Sequence, residues 1–304
     1  MTKMIVSRLA QGIIVLIGIT LLVFLATFLT GDPARLLMGD QATEAEVEAY
    51  RAKLGLDQPL MVQYGKFLKN AVRGDFGTSL YYREPCMGLV LDRLPNTLRL
   101  AGVSLVVSLV LSIPLGMLAA IKRNSFLDTG IMTVGLFGQA APGFWLGIML
   151  ILIFSVKLKL LPVSGMMDGW RSYVLPGFAL ATWPLAQNIR MMRSSMIEVL
   201  GDDYIRTARA KGVSVPKVYF KHAFKNAIKP VITLIGMQMA SFIGGAVIIE
   251  NIFAWPGVGR LAVQAITMHD FPLLQTSVSI LGLGFVVFNL LVDIAYMILD
   301  PRVR

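Results

Sequence analysis

Cysteine and histidine, the commonest side chains of metal centres and of nucleophile–base pairs, are sparse in this sequence. It holds one cysteine, Cys86, and two histidines, His222 and His269, all far apart. A metal centre needs several such ligands at close spacing. There is no Gly-x4-Gly-Lys-Ser/Thr loop to cradle nucleotide phosphates and no His-Glu-x-x-His pair to hold zinc. What is dense is fixed charge. Residues 190–229 carry nine Lys/Arg against three Asp/Glu. The chemistry on offer is ion pairing, either with acidic groups of a protein partner or with anionic lipid headgroups. Composition does not choose between the two.

The order of residues in that segment says more. Asp202 and Asp203 stand where carboxylates complement a helix N-terminus. Arg209 and Lys211 stand at the other end, and Gly212 falls just past it. Ser214 and Pro216 then open a second helix through His222 and Asn226 to Pro230. The expected object is a short helix, a glycine turn and a re-entry helix.

The elements that hold this object are apolar. Of 304 residues, 56% are hydrophobic and 15% charged, against about a quarter charged in an ordinary soluble domain. Residues 9–31, 100–121, 129–156, 172–189, 230–249 and 271–292 contain no Asp, Glu, Lys or Arg. A bilayer core needs roughly 20 helical residues, so the sequence predicts six transmembrane helices. The first block is longer than the roughly 7–15 apolar residues of a signal peptide and is read as a retained helix. With the N-terminus inside, residues 1–8, 122–128, 190–229 and 293–304 hold 15 Lys/Arg against 6 Asp/Glu. The outside segments hold 13 against 12, nine of the positives in one long loop that the rule discounts. The expectation is N-in, C-in. A nucleic-acid reading of the net charge of +10 is poor, because no soluble domain carries it. The expected divisions are 1–30 (cytoplasmic N-terminus and first helix), 31–98 (extracytoplasmic loop) and 99–304 (core membrane domain with the cytoplasmic loop 190–229).

In the outer loop, Thr43 with Glu46 makes a capping box, Gly55 suits the stop of that helix, and Pro59 suits the first turn of a second. Leu60, Met61, Tyr64, Phe67, Leu68, Ala71 and Val72 form an apolar stripe at helical spacing, read as packing against the membrane domain. Pro114, Pro142, Pro176 and Pro184 sit inside membrane blocks and can bend them. Gly244, Gly245, Gly282 and Gly284 allow close helix approach. Trp145, Trp183 and Trp255 suit aromatic belts, or Trp183 a pore. Glu250 suits interfacial anchoring or pairing between helices.

At residues 204–212 the sequence resembles the permease subunits of binding-protein-dependent ABC importers, in their dipeptide/oligopeptide/nickel branch. Tyr204-Ile205-Arg206-Thr207-Ala208-Arg209-Ala210-Lys211-Gly212 is similar to that branch's cytoplasmic signature, and His222-Ala223-Phe224-Lys225-Asn226-Ala227 to its continuation. Further landmarks cover nearly the whole chain: Gly31-Asp32-Pro33, Gly55-Leu56-Asp57-Gln58-Pro59, Gly74-Asp75-Phe76-Gly77-Thr78-Ser79, Pro256-Gly257-Val258-Gly259, Asp270-Phe271-Pro272 and Leu299-Asp300-Pro301-Arg302. Arg206-Thr207-Ala208 replaces the Glu-Ala-Ala of the broader family, reversing the charge at the first position.

The resemblance implies an all-α membrane protein of the type I importer permease fold in a bacterial or archaeal inner membrane. It implies a second, related permease, two cytoplasmic ATPases and an extracytoplasmic binding protein as partners. This chain would be no enzyme and would hold no cofactor, ATP and Mg being bound by the ATPases. The ATPase-coupling loop would comprise Asp203, Tyr204, Arg206, Thr207, Ala208, Arg209, Ala210, Lys211 and Gly212. Gly212 would let the chain turn where a side chain would obstruct. Ala208 and Ala210 would let the helix seat in a partner's groove, with Arg206, Arg209 and Lys211 pairing at its rim. The cargo would be di- or oligopeptides, with glutathione or chelated nickel as alternatives. An ion-coupled carrier predicts mid-helix carboxylates and an internal repeat, and neither is visible. A membrane protease lacks its motif, and a passive scaffold has no need of the ordered cytoplasmic projection.

Overall fold

A computed structural model describes residues 2–29, 33–39 and 42–299. The landmarks Gly31-Asp32 and Asp300-Pro301-Arg302 lie outside the described residues. The helices are α1 (Thr2–Leu29), α2 (Pro33–Met38), α3 (Glu44–Leu54), α4 (Leu60–Ala71), α5 (Cys86–Ile121), α6 (Phe126–Ala140), α7 (Gly143–Leu150, continued by a wide π turn over Ile151–Lys157), α8 (Arg171–Leu200), α9 (Asp203–Ala210), α10 (Val215–Lys217), α11 (Phe224–Ile252, joined to α10 by a π turn over Val218–Ala223), α12 (Val258–Thr267) and α13 (Phe271–Leu299). Among the described residues the only extended pairing is an isolated bridge between Thr78 and Pro85. The chain gathers into two compact units, residues 1–97 with 256–290 and residues 98–255 with 291–304.

Among the described residues, four helical stretches are long and apolar enough to cross a bilayer: Ser7–Thr27, Cys86–Ile121, Val215–Ile252 and Phe271–Ile294. The expected span at 129–156 is not one straight helix. It is α6 and α7 with its π turn, bent by 108°. The break falls at Ala141-Pro142. Ala141 is extended (φ −72°, ψ 132°), as the residue before a proline prefers, and Pro142 has no N–H to continue the ladder. The expected span at 172–189 lies within α8. Its 30 residues reach about 45 Å at 1.5 Å each, yet α8 does not meet the apolarity of the other four. It carries Ser172, Thr182, Gln187, Asn188, Arg190 and Arg193. Fifteen of its residues are buried against protein, and polar side chains are tolerated at membrane depth where protein or water, not lipid, faces them.

In the first unit the capping box forms as the sequence predicts. Thr43 Oγ1 accepts the Glu46 N–H, and the Glu46 carboxylate accepts the Thr43 N–H at 2.9 Å. That backbone bond, with the Thr43 hydroxyl, holds the Glu46 carboxyl below its ordinary pKa. Gly55 closes α3 in the left-handed region (φ 69°). Helix α4 lies along α1. The Tyr64 hydroxyl donates to the Ile17 carbonyl at 3.0 Å and shares a 2.9 Å bond with Thr20, and its ring stands 5.4 Å from that of Phe24. The expected stripe is narrower than its pattern: Leu60, Met61 and Val72 are exposed. Pro59 is the residue before α4, not its first turn.

Two landmarks far apart in sequence meet in this unit. Ser79 Oγ donates to the Asp270 carboxylate, which also accepts the Tyr81 and Leu273 N–H groups, both at 3.2 Å. Ser79 and Asp270 are buried. Asp270 thus caps α13 and pins the tight loop 79–84. Cys86, Val90, Val258, Leu261, Ala265 and Leu273 close the apolar core around this junction. Nearby, Thr97 Oγ1 accepts the Val258 N–H (2.9 Å) and the Asn96 amide donates to the Pro256 carbonyl (2.9 Å). These contacts give the Pro256–Gly259 landmark its place on α5.

In the second unit Leu100, Leu175, Leu180, Phe242, Ile249, Phe253 and Trp255 form one core. Trp255 is wholly buried, edge-on to Tyr173 at 4.7 Å, so it belongs to this core and not to an aromatic belt. Glu250 is also wholly buried, not the exposure of an interfacial anchor. At Gly245 an added Cβ would stand 3.0 Å from Leu180, whereas Gly244 has open space. Only the first is a close-packing glycine.

Replacing Asp270 with Ala strands three donors, one hydroxyl and two backbone N–H groups. The expected loss is roughly 2–4 kcal/mol. It should read as a lower thermal midpoint of the purified protein in detergent and as faster tryptic cleavage after the exposed Arg83. Asp270→Asn, which keeps an acceptor, should lose less.

Candidate functional site

Helix α9 begins and ends where its residue types dictate. Gly201 closes α8, and Asp202 is extended (φ −66°, ψ 149°) as an N-cap residue is, although no side-chain capping bond forms there. At the far end Lys211 is the C-cap. The Gly212 N–H bonds the Arg209 carbonyl at 2.9 Å and the Val213 N–H bonds the Ala208 carbonyl at 3.2 Å. This pair of bonds is the Schellman closure, which needs a left-handed residue at Gly212. Its φ is +76°. No atom lies within 4 Å of where its Cβ would be. The glycine is therefore favoured by its backbone angle, and the expected steric obstruction is absent from this chain.

The helix has one buried face. Ile205 is fully buried and Ala208 nearly so. Ile205 packs in a core with Met117 and Ala120 of α5, Met192 and Met196 of α8, Val218 and Ala223 of the π turn, and Ala227 and Val231 of α11. Ala208 thus turns into its own protein. The expectation that it seats in a partner's groove fails for Ala208, while Ala210 is exposed as expected. The helical phase explains this: residues three apart share a face, and Ile205 fixes which face is inside.

Asp203, Tyr204, Arg206, Thr207, Arg209, Ala210, Lys211 and Gly212 are all exposed. Arg206 pairs with Asp203 one turn back at 3.4 Å, a solvated pair that contributes little to stability. Thr207 Oγ1 bonds the Asp203 carbonyl at 3.0 Å. The Asn226 amide donates to the Tyr204 hydroxyl at 2.8 Å, fastening α9 to α11. The segment is therefore braced on two sides, by apolar packing and by this polar tie.

Two exposed apolar side chains accompany the charges. Val215 is 60% exposed and Phe220 is 66% exposed, with Lys217, Lys221 and Lys225 around them. Sequence reading passed over both, since each looks like part of the re-entry helix. The signal available was the mismatch between an apolar side chain and the basic residues flanking it. A mixed apolar and basic surface on a rigid frame suits a protein partner, whose interfaces favour an aromatic anchor with Arg beside it. Among the described residues, no group of three or more His, Cys, Asp or Glu is placed to hold a metal ion.

Comparison with known proteins places this architecture. The family model described as the binding-protein-dependent transport system inner membrane component matches residues 112–304. The model for the N-terminal part of such membrane components matches residues 1–101. A putative peptide transport system permease protein of Brucella abortus (strain 2308) is 45% identical over 100% of this chain and 99% of its own. The oligopeptide transport system permease protein AppB of Bacillus subtilis (strain 168) is 42% identical over 100% of both. The glutathione transport system permease protein GsiC of Escherichia coli (strain K12) is 40% identical over 100% of this chain and 99% of its own. Among solved structures, an inward-facing MetNI methionine ABC transporter superposes with a TM-score of 0.59 at 17% identity, covering 70% of this chain and 97% of that one, a likeness of fold. Matched along its length and built of apolar helices, the chain belongs to the binding-protein-dependent transport system inner membrane components, the multi-pass permease subunits of ABC importers.

Proposed function

We propose that this chain is one of two permeases that together pass short peptides into the cell, and that α9 with its glycine turn receives the motion of two cytoplasmic ATPases. An extracytoplasmic binding protein delivers the peptide. Relatives at 40–45% identity across the full length carry peptide, oligopeptide and glutathione names, and glutathione is itself a short peptide. The observation that carries the coupling role is the build of α9. Ile205 anchors it, the Tyr204–Asn226 bond braces it, and Arg206, Arg209, Lys211 and Phe220 stand outward. A helix held this firmly transmits a push to α8 and α11 without yielding. The charge pattern of the loops supports placing α9 in the cytoplasm.

The pathway lies between the two permeases. On this chain's side its wall is the open stripe of α8, where Trp183 and Arg190 are exposed and Gln187 is half-buried. Gln187 is held from behind by the Gln238 amide at 2.9 Å. A lipid-facing stripe would not carry an amide and a guanidinium. Side-chain amides there match the donors and acceptors of a peptide backbone.

Two measurements test this reading. In vesicles holding the whole transporter, Gly212→Asn tolerates the left-handed angle and should keep most import. Gly212→Ala costs about 1–2 kcal/mol at that angle and should lose part. Gly212→Glu adds bulk and charge at the contact and should cut peptide import per ATP by roughly tenfold or more. Full import by Gly212→Glu would sink the coupling role. For the wall, a cysteine at Gln187 should react with a membrane-impermeant thiol reagent in the inward-open state, while one at the exposed apolar position Ile14 of α1 should not. Equal inertness at both would remove α8 from the pathway.

A further inference from the structure

The first turn of α6 is fastened to α8 by an ion pair that no sequence motif announces. Arg193 Nε donates to Asp128 Oδ1 at 2.6 Å and Nη2 donates to Oδ2 at 2.7 Å. This is the two-pronged guanidinium–carboxylate geometry that only arginine supplies. Asp128 is 3% exposed. Its Oδ2 also accepts the Asn124 N–H at 2.9 Å, and its own N–H bonds Ser125 Oγ at 3.3 Å, capping α6. Asn124 takes a left-handed angle (φ 61°). The turn between α5 and α6 is thus shaped around this carboxylate.

The place of the pair gives it meaning. Arg193 lies between Met192 and Met196, and both methionines are fully buried in the core that seats Ile205 of α9. The same two turns of α8 therefore hold α9 on one side and Asp128 on another. Gly116 of α5 allows this crowding, since a Cβ there would stand 2.6 Å from Met192. At its other end α6 stops at the Ala141-Pro142 break. It is a strut of 15 residues, packed along α8 and clamped to it at its base by the ion pair.

We propose that the Asp128–Arg193 pair is a positioning link that makes α6 follow α8 when α9 is displaced, so that one push from the ATPases moves two membrane elements. This rests on the reading of α9 as the ATPase contact. With the link broken, α6 rests on α8 by packing alone, lags it at the base, and import falls although ATP is still consumed. A pair serving stability alone behaves otherwise: its loss reduces assembled complex, and import and hydrolysis fall together.

The test uses the complete transporter reconstituted in vesicles with its binding protein and a radiolabelled tri-alanine peptide, reading peptide imported per ATP hydrolysed. Asp128→Asn leaves the guanidinium facing a neutral amide and should lower that ratio by roughly tenfold. Arg193→Lys keeps both charges but loses the fork, and should fall between it and the wild type. The exchanged pair, Asp128→Arg with Arg193→Asp, should recover at least a few-fold over Asp128→Asn. A ratio unchanged in both single variants overturns the link, as does a fall in which import and hydrolysis drop in proportion. Where Asp128→Asn assembles poorly, Arg193→Lys is read alone by the same ratio. Gly212→Glu run alongside separates the two claims. If it imports normally, α9 is not the ATPase contact. If it uncouples while Asp128→Asn and Arg193→Lys do not, the link alone is refuted.

Discussion

The constraint on which the rest depends is that a bilayer core offers no water to a backbone N–H or carbonyl. Every crossing segment must close its own hydrogen bonds, so this chain is helical almost throughout its described length. Each departure from a plain helix is then an event with a local cause. The wide turns at Ile151–Lys157 and Val218–Ala223 keep the ladder closed while shifting its phase. The one sharp bend between consecutive apolar helices sits at a proline, which has no N–H to satisfy. The segment after α9 leaves helical geometry at Gly212, and there the Schellman bonds recover the carbonyls that α9 would otherwise strand.

Burial within the protein sets a like constraint on side chains. Asp128, Asp270 and Glu250 are each buried. Asp270 meets one hydroxyl and two backbone N–H groups, and Asp128 meets a guanidinium and one N–H. A buried carboxylate without such donors would cost several kcal/mol, so its donors are fixed as firmly as it is. That is why Asp270 and Asp128 act as fasteners. Ser79 and Tyr81 are held to the start of α13, and α6 to α8, by charges that have nowhere else to go.

How much of this was legible in the sequence follows from how local each signal is. The Thr43 box, the stop at Gly55 and both ends of α9 are written in residues within one turn of the event, and they were readable. The number of crossings was less so. Block composition made 172–189 look like the others, but α8 meets protein along half its residues and carries the polar groups that its neighbours permit. Pro142 was visible as a possible bend. Pro176, Pro184 and Pro230 stay inside continuous helices while the chain breaks by 108° at Ala141-Pro142, so the residue type alone did not tell a bend from a break. Trp255 looked like a belt residue because its depth is set by Tyr173, 82 positions earlier in the chain. The inward turn of Ala208 was within reach, since Ile205 is the one large apolar residue of α9 and stands three positions before it.

The site shows why a permease signature tolerates a reversed charge at its first position. Arg206 projects from the exposed face and already has a solvent-screened partner in Asp203, so the fold of α9 makes no demand on its sign. The inner face makes strict demands: Ile205 must fill the core of α5, α8 and α11, and Ala208 must be small enough to face the same interior. The backbone demands a left-handed residue at Gly212. Within one short helix, then, Ile205, Ala208, the Tyr204 tie to Asn226 and the glycine turn belong to this chain's own stability, and the remaining exposed positions are not fixed by its packing. The separation divides α9 into an inner face fixed by this chain's own packing and an outer face whose chemistry the fold leaves open.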